Sequence, residues 1–93
     1  MAKVNLNLLN IFALKVKENV LQYEGDTVGD IISQFIKDHG DKLDNNLLSK
    51  NKKKLNKQIL ILVNGRNIEY LKGYKTPLKD GDELYLSIPL SGG

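Results

Sequence analysis

The sequence has no cysteine, one histidine (His39), one arginine (Arg66) and no apolar run approaching the ~20 residues of a membrane-spanning helix. Without cysteine there are no disulfide staples, thiolate metal sites, iron–sulfur clusters or thiol nucleophiles, which fits a reducing, cytoplasmic setting. A lone histidine leaves no zinc-binding pair and no imidazole relay. Residues 1–20 interleave apolar side chains with asparagine and lysine, unlike a secretory leader. Gly25, Gly29 and Gly40 fit neither nucleotide-binding fingerprint, so the chain is not expected to bind ATP by itself, and no cofactor is expected. The net charge of +3 rests on 13 lysines. Nucleic-acid readers combine clustered arginine with aromatic stacking platforms, whereas the densest basic run, Lys50 to Lys57, holds no aromatic residue. A nucleic-acid partner is therefore not expected.

What is present is a chain of 93 residues with 41% hydrophobic and 27% charged side chains, close to the averages of globular domains. At this length one domain, residues 1–93, is expected. Val4, Leu6 and Leu8 alternate with Asn5 and Asn7, the pattern of a half-buried strand. The alternation fails at Leu8-Leu9 and Ile11-Phe12, which predicts a loop or turn and a second strand over Glu18 to Tyr23. Thr27 with Asp30 forms a capping-box variant, and Val28, Ile31, Ile32, Phe35 and Ile36 share one helical face ahead of Gly40, which is placed as a left-handed C-cap. Leu43 and Leu47 are expected to fold back on the core, and Lys50 to Lys57 to form a mobile, solvated connection.

Ile59 to Val63 is an unbroken apolar strand ending in the hairpin turn Asn64-Gly65, with a short return strand predicted over Ile68 to Leu71. After a loop over Gly73 to Pro77, Asp80-Gly81-Asp82 is read as turn geometry rather than a carboxylate pair for acid–base chemistry. A last strand follows over Glu83 to Ile88. His39 lies in the last helical turn, where a structural role suits the helix dipole. One helix between early and late strands implies a small mixed sheet folded over that helix, an α+β architecture. Adjacent strand residues point to opposite faces, so if Ile59, Ile61 and Val63 pack on the helix, Leu60 and Leu62 point away from it, either open to a partner or shielded by strand twist or a covering loop. Tyr85, Ser87 and Ile11-Phe12 are candidates to extend that outer face into a partner-binding patch.

This order of elements, the segments KVNLNLLNIF, TVGDIISQFI, LVNGRNIEYL and TPLKDGDELYL, and the terminal SGG resemble the ubiquitin-like β-grasp fold. Within that fold they resemble the sulfur carriers typified by MoaD, the small subunit of molybdopterin synthase, and ThiS, the thiamine sulfur carrier, with archaeal members most similar. The resemblance implies a sheet of four or five strands over one main helix. It also implies that the chain is no enzyme but the substrate of a ubiquitin-activating-like adenylating enzyme, with Gly92 and Gly93 as the activated terminus. Glycines suit that role because a tail without Cβ atoms can lie extended in a narrow channel. Pro89, lacking a backbone donor, is expected to end the last strand and to send Leu90, Ser91 and the glycines outward as a flexible tail, 89–93. Leu60, Leu62, Arg66, Tyr85, Ser87, Pro89, Leu90 and Ser91 are the candidate partner-binding residues, Arg66 through a carboxylate on the activating enzyme.

Family members commonly carry an aromatic residue where this chain has Ser87, which sets a partnership with a molybdopterin synthase large subunit apart from other sulfur acceptors. The resemblance implies thiocarboxylate delivery for molybdopterin, thiamine or tRNA thiolation. Conjugation of Gly93 to target lysines is the alternative, and a β-grasp interaction module with an incidental diglycine is a reading of a different class.

Overall fold

The computed structural model describes residues 1–88. β1 (Ala2–Leu8) keeps the alternation of its sequence, burying Val4, Leu6 and Leu8 while Lys3, Asn5 and Asn7 face outward. The chain then enters a helix, α1 (Ile11–Val16), where a loop was predicted. Two runs that break a period of two, Leu8-Leu9 and Ile11-Phe12, are a strand end and a helix start. Phe12 and Val16, four apart, bury together, and Lys17 closes the helix in the left-handed region at φ 65°. The second strand is accordingly later than predicted, β2 (Val20–Gly25), antiparallel to β1.

α2 (Val28–His39) forms as its face predicts, burying Val28, Ile31, Ile32 and Phe35 against the sheet. Its capping box is complete: Thr27 Oγ1 accepts from Asp30 N–H at 3.3 Å, and Asp30 Oδ2 accepts from the N–H groups of Thr27 and Asp26 at 3.1 and 2.9 Å. Those two backbone donors hold the Asp30 carboxyl below its usual pKa. Gly40 is not a left-handed cap. It is right-handed at φ −60° and leads into a 3₁₀ turn, and the space beside it is tight, since a Cβ would meet Ile36 Cγ2 at 3.2 Å.

Lys50 to Lys57 is also more ordered than predicted. Leu48 and Leu55 pair across the loop and are both buried, and Ser49 N–H donates to Lys54 O at 2.8 Å, so the lysines stand exposed on a pinned backbone. β3 (Leu60–Val63) turns at Asn64 (φ 51°) and Gly65 (φ 88°) as the Asn-Gly signal requires. The return strand is only β4 (Arg66–Asn67). In place of the predicted strand over Ile68 to Leu71, Asn67 Oδ1 accepts from Glu69 N–H at 2.9 Å and starts a 3₁₀ turn that buries Ile68. β5 (Glu83–Ser87) completes the sheet in the order β2-β1-β5-β3-β4, with β5 parallel to β1 and antiparallel to β3. One mixed sheet curled over one main helix is a β-grasp. The Asp80-Gly81-Asp82 turn is structural as read: Asp80 accepts from Lys3 N–H, Asp82 from Lys79 N–H, and Gly81 sits at φ 87°.

Candidate functional site

The register of β3 against β5 fixes two faces. Ile61 pairs with Leu86 and Val63 with Leu84, all four buried toward α2; Leu60 pairs with Ser87 and Leu62 with Tyr85, all four half-buried on the opposite face. Leu60, Leu62, Tyr85 and Ser87 are thus brought together as a strip of the outer face. Asn67, the partner of Leu62 on β4, continues it.

Two candidates fall outside this strip. Arg66 pairs with Val63, so the register assigns it to the helix side, where it stands exposed at the hairpin end. Ile11 and Phe12 do not extend the surface either: Phe12 is fully buried and meets Phe35 edge-on, with ring centroids 6.3 Å apart. Pro89, Leu90, Ser91, Gly92 and Gly93 lie outside the described residues. His39 packs beside Phe35 at 5.8 Å between ring centroids, consistent with a structural place.

The outer face is divided chemically. Toward β1 and β2 it is polar, because Glu83 is clasped by the carboxamides of Asn5 and Asn7 at 2.8 and 3.0 Å, and Gln22 donates to Asn5 at 3.3 Å. Toward β3 it is apolar. A groove beside the end of β3 adds Leu47, Asn56, Ile59 and Ile88 to Leu60 and Asn67. The sequence carries no signal for Asn56 or Leu47 here, since they arrive on irregular segments. Asn5 and Asn7 were legible as outward-facing but not as partners of Glu83, 76 residues or more away.

Asn10 is the other residue that sequence reasoning passed over. It stands before α1 at φ 53°, ψ −131°, a region that glycine enters freely and other residues enter at a cost of about 1–3 kcal/mol. Its side chain caps nothing in its own helix. Instead its Oδ1 accepts from the Ser87 hydroxyl and from Ile88 N–H, the latter at 3.3 Å. Among the described residues no cluster of His, Cys, Asp and Glu is arranged to hold a metal, and no helix is long and apolar enough to cross a membrane.

A five-stranded β-grasp with a half-apolar outer face, whose last strand runs on toward a diglycine, is the framework of a ubiquitin-like protein. A family model of the ThiS family matches residues 6–93, and the chain belongs to that family, among the ThiS- and MoaD-like sulfur carriers. Small archaeal modifier protein 1 from Methanosarcina acetivorans is similar with a TM-score of 0.85 and 31% identity, over 100% of this chain and 98% of that one. A chain of the BexX/CysO complex from Amycolatopsis orientalis is similar with a TM-score of 0.76 and 27% identity, over 97% and 99%. Urm1 from Trypanosoma brucei shares the fold, with a TM-score of 0.75 and 22% identity over 98% and 95%. No curated protein sequence matches the chain.

Proposed function

We propose that this chain is a cytoplasmic sulfur carrier, one domain over residues 1–93, whose working group is the Gly93 carboxylate. The observation that carries this reading is that the family match runs through the diglycine to residue 93. In the first step a carboxylate oxygen of Gly93 attacks the α-phosphorus of ATP held by an adenylating enzyme, and pyrophosphate leaves. The mixed anhydride is then attacked at its acyl carbon by a sulfur nucleophile and AMP leaves; hydrosulfide gives the thiocarboxylate directly, and a persulfide gives an acyl disulfide whose S–S bond a thiol reductant cleaves, leaving the thiocarboxylate and a disulfide. Sulfur is passed on when that thiocarboxylate displaces a leaving group from an electrophilic acceptor carbon and water then cleaves the acyl–sulfur bond, returning the Gly93 carboxylate. None of these steps needs a cysteine, a metal or an acid–base residue in the carrier itself, since activation chemistry belongs to the enzyme.

The outer strip of Leu60, Leu62, Tyr85 and Ser87 is the docking face in this reading. Apolar groups left half-exposed on one side of a sheet favour a partner that covers them, and the polar Asn5–Asn7–Glu83 half fixes its orientation. The likeness to a chain of the BexX/CysO complex supports a carrier that assembles with a partner protein. Arg66 remains a contact at the rim, apart from the strip. With Ser87 in place of an aromatic, a molybdopterin synthase large subunit is one acceptor among several.

A second reading is favoured by one observation, the 31% identity to a small archaeal modifier protein: the same activated carboxylate is handed to lysine amines of target proteins. Intact-mass analysis of the protein from its own host separates the two. A carrier gains the mass of sulfur minus oxygen, and a modifier appears as larger conjugates. An unmodified mass under every condition would remove both and leave an interaction module.

A further inference from the structure

The parallel ladder between β1 and β5 ends in an unusual way. Leu8 pairs with Leu86, and Leu9 N–H donates to Leu86 O at 3.0 Å. The next rung of a parallel ladder would run from Ile88 N–H to Leu9 O. That carbonyl is turned into α1, where it accepts from Phe12 N–H at 3.1 Å. The carboxamide of Asn10 takes over the rung: its Oδ1 receives Ile88 N–H, and the same oxygen receives the Ser87 hydroxyl.

A simple turn does not explain this residue. At φ 53°, ψ −131° glycine would make the same turn without strain, and the asparagine side chain is not spent on capping α1. What the asparagine adds over glycine is the pair of bonds to the end of β5. The Ser87 hydroxyl supplies one of the two donors to Asn10 Oδ1.

We propose that Asn10, acting through Ser87 and Ile88, is a positioning residue that fixes where the C-terminal segment leaves the sheet, and so how often Gly93 reaches the adenylating centre of a bound enzyme. This rests on the proposed activation of Gly93. From Ile88 to Gly93 the chain spans at most roughly 17 Å when extended. Releasing Ser87 and Ile88 moves the last fixed point of the chain two residues farther from Gly93, which lowers the effective concentration of the carboxylate and loses the direction set at Ile88. Leu60, Leu62 and Tyr85 keep their places on the outer strip, so docking suffers less than delivery.

The test uses the full chain and an adenylating enzyme of the ubiquitin-activating type from the same host, with ATP–pyrophosphate exchange as the assay. Asn10→Gly removes the clamp and the strain together and leaves the fold intact; Asn10→Asp keeps an acceptor oxygen; Ser87→Ala removes one of the two donors. Amide hydrogen exchange at Ile88 is measured in each. Asn10→Gly is expected to lower kcat about fivefold with KM for the carrier within about twofold of the parent, and to speed exchange at Ile88. Asn10→Asp is expected to restore both, and Ser87→Ala to fall between. Exchange by the parent with an unchanged kcat in Asn10→Gly, or an Ile88 amide unprotected in the parent, overturns the positioning role alone. No exchange by the parent overturns the activation of Gly93, and the positioning role with it.

Discussion

Leu62 and Tyr85 face each other across β3 and β5 on the outer side of the sheet, while their chain neighbours Val63 and Leu84 face each other on the buried side. A period of two thus separates docking from folding at adjacent positions. Leu62→Asp places a charge where it stays hydrated, and Ile61→Asp, at a residue 4% exposed, buries one without a partner at a cost of several kcal/mol. Leu60→Asp and Leu62→Asp are expected to fold with thermal midpoints near the parent and to bind the activating enzyme at least tenfold more weakly, whereas Ile61→Asp is expected not to fold. Circular dichroism melts beside a binding titration check this. Unfolding by all three would mean that both faces are core.

The separation of Leu60 and Leu62 from Ile61 and Val63 was legible because a strand alternates its faces, but which pair meets the helix is fixed only by the register of β3 against β5. The β-grasp order was legible from the same alternation, together with the Asn64-Gly65 turn and the Thr27–Asp30 cap, each of which forms as read. α1 was not. Its two buried residues, Phe12 and Val16, are too few to establish a helical period, and neighbouring Leu8 and Leu9 belong to a strand. The return strand failed because Asn67 competes locally: its side chain satisfies Glu69 N–H and turns the backbone away from β3 after two residues. At the candidate site the strip was readable but Asn10 was not, since its partners lie 77 and 78 residues away.

Asp30 gives the fold a defined response to acid. Its pKa is held down by the N–H groups of Asp26 and Thr27, so its contribution is present above the unfolded value of about 3.9 and is lost as pH falls through the lower folded value. Asp30→Ala is therefore expected to reduce stability at neutral pH and to flatten its decline in acid. Thr27→Ala removes the other half of the box, whose hydroxyl also helps to lower the Asp30 pKa, and is expected to cost about 1 kcal/mol at neutral pH and less in acid. Urea unfolding from pH 2 to pH 7 checks both, and an Asp30→Ala protein with the parent's full acid dependence would show that other carboxylates set it.

The basic loop separates charge from packing. Lys52, Lys53 and Lys54 are exposed, and Leu55 between them and the sheet is 3% exposed and part of the core. Replacing the three lysines by glutamine is expected to change stability by no more than about 1 kcal/mol, most of it from Lys54, whose Nζ lies 5.2 Å from the Tyr74 ring centroid. Leu55→Ala is expected to lose about 2–5 kcal/mol, because the loop that holds it cannot collapse into the space. Exchange activity of the lysine variant should stay within a few-fold of the parent. A salt-sensitive RNA complex of the parent, lost in that variant with a log–log salt slope reduced by nearly 3, would instead make the lysines the principal site.

The diglycine itself should matter to chemistry and not to folding. The buried residues of the described chain run from Ala2 to Leu86, and the last of them, Leu84 and Leu86, are fixed by pairing with both β1 and β3 before the chain reaches Ser87. Removing Gly92 and Gly93 therefore leaves every buried residue and every strand pair of residues 1–88 in place. It does take away the carboxylate position and the two residues without Cβ that a narrow channel admits. The truncated protein is expected to keep the parent's circular dichroism spectrum and thermal midpoint within about 1–2 °C, and to support no ATP–pyrophosphate exchange. Addition of one alanine after Gly93 is the sharper variant, since it preserves a terminal carboxylate while moving it about 3.5 Å beyond its place and adding a Cβ. Undiminished exchange in that variant, with the parent also active, would mean that the activated group is not positioned by the terminal glycines.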